Sequence, residues 1–421
     1  MPSHDKTERI RPRKPSPEAT VSDAASSPEE SREFGRRPLL QALLATGTAG
    51  MAAGMAGAMA GAALLGTPVA EAAPPRALLT PLRNPGNPAA GDKSTDDYVP
   101  LQETIDTALQ IMNSYNYLEV TIDLRGHTYR FNTPLLIEPL IVETAPKTRL
   151  RIVNGTLLSS VGNNEQHYFN AIHIKPHGSA GSYSDYPEIT FDNVRLQKLQ
   201  YQNVTGMLIE RGLRCTFHNF AIEPQNDGST GAFDRGLVLQ GCQICNFIDC
   251  HFAGNNNHLV FEQLSGSPST DCRFYGCSFT ESNQAAIVSE EDSFRSGVTA
   301  AQCLFNGCTI ETARSGPLVD MWDTRNTKFD HCRFENDENG YNLVQFGRSA
   351  PATESTTARF CDCNFSTSST SGSTPVSCIY GGADVEDTAL IANVFPSPSS
   401  IPAVSLAGTY RAVANKNLTD A

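Results

Sequence analysis

Positive charge is in short supply. The chain carries 32 Lys and Arg against 45 Asp and Glu, a formal net charge of −13. With no basic stripe to neutralise phosphates, the balance argues against nucleic acid and anionic membrane as partners. A polyanionic substrate is disfavoured unless a local groove overrides the net field. Tryptophan is almost missing, with Trp322 alone. There is no Gly-rich phosphate loop and no His-x-x-x-His pair, so neither phosphate-cradling nor paired-histidine metal chemistry has a carrier. Cysteine is absent before Cys215, and all twelve lie between Cys215 and Cys378.

The first seventy or so residues read as lying outside the folded domain. Residues 1–35 are rich in Pro, Ser, Glu and Arg, a composition too poor in apolar surface to order itself. Gly35-Arg36-Arg37-Pro38-Leu39-Leu40 then opens an Ala/Gly/Leu/Met run that ends at the small-x-small site Val69-Ala70-Glu71-Ala72. This segment resembles a twin-arginine export signal. The run is long enough to span a bilayer, but its glycines make it a poor membrane anchor. The expectation is a secreted, extracellular protein with no membrane attachment after cleavage. Residues 1–72 hold 8 basic and 8 acidic residues, so the mature chain keeps the acidic excess. Segment 73–95 reads as a flexible linker, 96–395 as the domain and 396–421 as a tail or cap.

Within the domain one phrase recurs. It reads Cys245-Asn-Phe247-Ile-Asp-Cys250-His-Phe252, then Cys272-Arg-Phe274-Tyr-Gly-Cys277-Ser-Phe279, then Cys303-Leu-Phe305-Asn-Gly-Cys308-Thr-Ile310. Thr327 to Phe334 and Ala358 to Phe365 continue it, and Ile189 to Leu196 and Cys215 to Ile222 precede it. From Cys215 the copies start 30, 27, 31, 24 and 31 residues apart. A fixed frame at such a period marks a repeat architecture. Apolar residues at positions one, three, six and eight give two short strands with a bend between them, on turn-tolerant Asn, Asp, Gly and His. A further strand follows in each copy: Leu237-Val, Leu259-Val, Ile287-Val, Leu318-Val, Leu343-Val. Such coils bury nothing alone; stacked in parallel, they share one core. The predicted fold is all-β, a right-handed parallel β-helix.

The frame also accounts for the cysteines. Cys215, Cys245, Cys272 and Cys303 fall in one inward row, and Cys250, Cys277, Cys308, Cys332 and Cys363 in another. In-register neighbours sit at strand spacing, wider than a disulfide needs, so the rows read as buried free thiols. No metal site follows, because ligands in a line do not converge.

Upstream, Leu101, Ile105, Ala108 and Leu109 lie on one face of a helix that can cover the first coil. After it come Gly126-His-Thr-Tyr129, Pro134-Leu-Leu136 and Ile152-Val-Asn154-Gly155. Cap and coil rhythm together resemble the pectate-lyase-like β-helix superfamily of polysaccharide lyases, polygalacturonase-type glycosidases and phage tailspikes. The resemblance covers most of the mature chain and implies the fold, a poly- or oligosaccharide substrate and a homotrimer. Catalytic residues do not transfer with it: the polygalacturonase Asn-x-Asp, Asp-Asp, His-Gly and Arg-x-Lys pattern is absent, as is the lyase Arg-x-x-Arg-x-Pro segment.

Candidate chemistry rests on geometry. If Leu237, Leu259, Ile287, Leu318 and Leu343 point inward, then Gln240, Glu262, Glu290, Met321 and Phe346 form an outward row. Glu262, Glu290, Asp320 and Asp323 then become candidate catalytic carboxylates, since stacked acids drive one another toward protonation. Trp322, Arg325, Arg295 and His258 become candidate substrate contacts, with Glu291 and Asp292 in the loop beside them. The same acids also fit a solvated edge, and Trp322 a strand-end packing residue. Glu311 and Glu335 form a competing row without an aromatic neighbour, and His331 fits a turn. No cofactor is expected.

The expected function is a secreted carbohydrate-active enzyme using paired carboxylates. The alternatives are a polysaccharide lyase with Arg295 or Arg325 as base and Ca²⁺ at the acidic cluster, a sugar isomerase or intramolecular transferase, and a non-catalytic glycan-binding surface module.

Overall fold

The computed structural model describes residues 76–417, apart from 85–86, 115–118, 141–147, 163–168, 178–186, 200–201, 226–231, 290–297, 323, 337–339, 348–356, 368–376, 383–384, 386, 397–402, 408–409 and 414. The export segment, Glu290, Glu291, Asp292, Arg295 and Asp323 lie outside the described residues. Among the described residues no helix is long and apolar enough to cross a membrane.

The chain winds as a parallel β-helix. Its first column of strands runs from Arg76–Leu79 through Asn246–Ile248 to Tyr410–Val413, every rung parallel to the next. A second column, from Asp92–Asp96 to Lys416–Asn417, lies one bend further along each coil. A separate sheet from Leu135–Ile137 to Val404–Leu406 forms another wall, called the second sheet below. The solenoid is longer than the sequence suggests. Arg76–Leu79 and Asp92–Asp96, in the expected linker, pair with Glu119–Asp123 and Thr128–Phe131. Beyond residue 395, in the expected tail, three strands add another coil. These outer coils lack the Cys/Phe phrase, so the repeat alone did not mark them.

The bend has a simple cause. Position five of the phrase is left-handed in coil after coil: Asn219, Asp249, Gly276, Gly307, His331 and Asp362 all have φ between 47° and 61° or, for Gly307, 63°. These are mainly the residue types that tolerate that region. Inside, the third-position phenylalanines form one stack, Phe191–Phe217–Phe247–Phe274–Phe305–Phe329–Phe360. Ring centroids are 4.6–5.2 Å apart and planes agree within 11°.

All twelve cysteines are buried free thiols. The second row does more than fill space. Each thiol of Cys250, Cys277, Cys308, Cys332 and Cys363 donates to the carbonyl of the stacked phenylalanine one coil back, at 3.4–3.5 Å. Those carbonyls lie at the bend, where a buried acceptor needs a partner. At the next coil Asn393 takes the position, and its Nδ2 donates to Phe360 O at 3.1 Å. Burial pushes Cys378 up to about 12 and holds Cys242 and Cys277 well above the usual thiol range, away from reactive thiolate. Titration of unfolded, unreduced protein is therefore expected to find essentially all twelve thiols free; five or six disulfides would contradict the two-row packing.

The cap is a helix over Tyr98–Ser114, with Leu101, Ile105, Ala108, Leu109 and Met112 buried against the first coils. Gln102 closes the sheet edge as another strand would. Its Nε2 donates to Leu136 O at 2.8 Å and its Oε1 accepts from Leu136 N at 2.9 Å.

Candidate functional site

Along the second sheet, side chains alternate in and out. Leu237, Leu259, Ile287, Val319, Val344 and Ile379 align inward. Between them and the next inward row, Leu208, Val238, Val260, Val288, Asp320, Gln345 and Tyr380 align on the outer face, with His173 upstream. Beyond the inward row of Phe261, Ser289 and Met321 lies a second outward row: Lys175, Glu210, Gln240 and Glu262, then Trp322 after Met321.

This register corrects the expected one. Met321 and Phe346 are inward, at 1% and 2% exposure, and Trp322 takes the outward position two coils after Glu262. The shift occurs because the recurring Leu-Val pairs do not align leucine on leucine. A bulge opens three successive rungs: the amides of His258 and Leu259 donate to Ala286 O, those of Ala286 and Ile287 to Leu318 O, and those of Leu318 and Val319 to Leu343 O. Leu318 and Leu343 therefore fill the corner with Ala286, one residue before the ladder. Both residues of each Leu-Val pair are buried and Val288 is half-buried, so hydrophobicity could not reveal which one set the register.

Among the described residues, Asp320 is the one acid on this face with a marked perturbation. Burial raises its carboxyl to about 6, and a hydrogen bond from the Trp322 side chain only partly offsets the rise. Its Oδ1 is buried with no hydrogen-bond partner. Trp322 is itself held by its own amide, which donates to Ser289 Oγ at 2.6 Å. An unsatisfied, protonatable carboxyl beside the sole tryptophan is what a sugar-cleaving acid requires.

Glu262 is bound differently. Arg235 Nη1 lies 2.5 Å from its Oε1 and Gln240 Nε2 3.2 Å from its Oε2. Val238 and Val260, outward-facing residues on the same two strands, are at most 1% exposed. Gly206 and Gly236 permit the local irregularity beside Arg235, since a Cβ on Gly236 would meet His258 O at 2.7 Å. Glu262 and Asp320 are two coils and two residues apart, about 12 Å between Cα atoms from strand spacing and rise. They form a diagonal pair rather than the expected stacked one; Glu290, the expected intermediate, lies outside the described residues.

Two other expected contacts move. His258 is fully buried, pushed down to about 3 by that burial and hydrogen-bonded through Nδ1 to Asn255 at 3.2 Å. It packs at the inward bulge and cannot touch a substrate on the outer face. Arg325 is exposed on a small third sheet, paired with Ala301 around the corner from Trp322. The competing acids Glu311 and Glu335 are rung neighbours bridged by Arg333 on another wall. Among the described residues, Asp330, His331 and Asp362 bring three donor groups within 4.8 Å, on the outside of the first column. Lys328 already lies 2.5 Å from Asp330 Oδ2.

Sequence reasoning missed His173, Lys175 and Glu210. Glu210 Oε2 lies 3.3 Å from His173 Nε2 and 3.5 Å from Lys175 Nζ. Burial lowers His173, against the pull of Glu210. Extending the ladder upstream from Leu237 through Met207 to Ile172 would have found them, but those strands precede the regular phrase.

Residues 235–383 match the family model described as "Right handed beta helix region". No curated protein matches the chain in sequence. In structure it is similar to ORF18 of Geobacillus virus E2, with a TM-score of 0.55, 13% identity and coverage of 81% of this chain and 62% of that one. PfbA, a surface adhesin of Streptococcus pneumoniae, gives a TM-score of 0.55 and 12% identity, covering 81% of this chain and 91% of that one. The tailspike protein of Acinetobacter phage vB_ApiP_P1 gives 0.50 and 15%, covering 81% and 61%. The chain thus spans less than two thirds of the two viral proteins. At these identities the likeness shows the fold alone.

Proposed function

We propose that this protein is a secreted β-helix that cleaves or rearranges a glycan on the outer face of its second sheet. Asp320 is the acid, donating its proton to the leaving glycosidic oxygen, and Trp322 is the platform for the sugar ring. Glu262 is the carboxylate on the far side of the bound sugar, with room between the two for substrate and water. Glu290, Asp323 and Arg295, outside the described residues, are kept as further contributors on their sequence position alone. The observation that carries this reading is the Asp320 carboxyl, raised to about 6 with one oxygen unsatisfied beside Trp322. A panel of neutral, amine-bearing and uronate glycans, assayed with parent and Asp320→Asn protein, tests it. Turnover by the parent and its loss in the variant are expected; equal turnover by both removes Asp320 from the chemistry.

A second reading is a non-catalytic glycan-binding surface protein. It is favoured by Glu262, whose carboxylate is already taken up by Arg235 and Gln240. An adhesin and a tailspike share the fold. Glycan binding without turnover by the parent protein would select it.

Export belongs to the same proposal. Replacing Arg36 and Arg37 with lysine is expected to leave precursor inside the cell, as twin-arginine transport requires the pair. Undiminished secretion would point to the general route.

A further inference from the structure

The outward row that ends at Trp322 alternates in chemistry along the solenoid. At one-coil steps it presents Glu138, Lys175, Glu210, Gln240 and Glu262. Over these five coils a carboxylate therefore recurs every second coil, at about 9.6 Å from the strand spacing; position 290, on the coil between Glu262 and Trp322, lies outside the described residues. The intervening residues are donors that steady their neighbours: Lys175 Nζ is 3.5 Å from Glu210 Oε2, and Gln240 Nε2 is 3.2 Å from Glu262 Oε2. Beside the row, His173 Nε2 is buried and 3.3 Å from Glu210 Oε2, yet off the line of a hydrogen bond. A buried ring nitrogen is thus left unsatisfied at the edge of the row, as Asp320 Oδ1 is at the other end of the face.

We infer that this row is a binding track for an extended glycan lying parallel to the solenoid axis, with amine-bearing sugars at every second position. The inference rests on the functional reading above and names its substrate class. A two-coil step is close to the length of two sugar units in an extended 1,4-linked chain, so alternate sugars present the same edge to equivalent positions. At those positions stand carboxylates, which accept charge-assisted hydrogen bonds from ammonium groups. A uronate chain would set like charges opposite each other and be rejected. Polarity follows from the two ends: the track begins in ion pairs around Glu210 and finishes at the aromatic and acid of the reaction centre.

Titration calorimetry on the full chain tests the assignment with glucosamine oligomers, cello-oligomers of equal length and oligogalacturonate. Glucosamine oligomers are expected to bind about tenfold more tightly than cello-oligomers, with the advantage shrinking in high salt and no binding of oligogalacturonate. Glu138→Gln should lower glucosamine-oligomer affinity severalfold, more than it lowers cello-oligomer affinity, with no loss of melting temperature. Gln240→Lys, which places a cation mid-track, should abolish it. Equal affinity for the neutral oligomer, or tighter binding of the uronate, overturns the track. If a neutral glycan is turned over in an Asp320-dependent way with no amine preference, the track falls and the functional reading stands. If no glycan is bound or turned over, both fall.

Discussion

Replacing Lys198 with methionine stabilises the protein by about 1–2 kcal/mol at pH 7, and the gain reverses above pH 10. Lys198 points into the solenoid at 1% exposure, where parity along its strand calls for an apolar residue. Its ammonium donates to Val161 O and lies 5.8 Å from the Phe233 ring centroid. No carboxylate is bridged to it among the described residues. Burial lowers it from 10.5 to about 8. By linkage that difference is a penalty of about 3 kcal/mol on the charged form. Methionine removes the penalty but leaves Val161 O short of a donor, at a cost of about 1–2 kcal/mol. The sign with pH is fixed. Between about 8 and 10.5 the unfolded chain holds a proton that the folded one has released, so the parent gains stability as pH rises through that window. The methionine variant lacks this gain. Denaturant melts of both proteins at pH 7, 9 and 11 should therefore cross; parallel curves would mean that Lys198 is solvated.

Asp320→Asn is expected to lower glycan turnover by about a hundredfold or more, the usual consequence of removing a general acid. Stability should move the other way. A carboxyl raised to about 6 by burial favours the protonated folded state, so its stabilisation is present below about pH 4 and lost as pH rises through 6. At pH 7 asparagine, which never ionises, relieves a strain of about 2–3 kcal/mol. Loss of activity with a higher melting temperature separates a reacting carboxyl from a structural one, whose removal costs stability and spares turnover. In the parent, turnover should fall above about pH 6, where the acid has lost its proton.

Fold and site were unequally legible. The phrase built on Phe247, Phe274 and Phe305 revealed parallel coils because each of its positions has one physical job. Phenylalanine stacks, cysteine meets a bend carbonyl, and Asn, Asp, Gly or His turns the chain. The helix over Tyr98–Ser114 was visible for the same reason, as an apolar face at period 3.6. The second sheet was readable only in part. Its corner bulge buries Leu318 and Val319 alike, so a one-residue slip left the apolar pattern unchanged while exchanging Met321 for Trp322 on the outer face. His258 was misplaced by the same bulge, which turns it inward beside Asn255. The Arg235–Glu262 bridge was out of reach for another reason. It joins residues on successive coils through a backbone irregularity at Gly236 that no periodicity encodes.

The central claim is that the outer face of the second sheet carries a protonatable Asp320 in contact with a glycan. Infrared difference titration of the parent against Asp320→Asn, with and without the glycan it binds best, measures this directly. One carboxyl, absent from the variant, is expected to titrate near 6 and to shift when glycan is added. A difference spectrum showing that carboxyl titrating near 4, or near 6 but untouched by glycan, would contradict it.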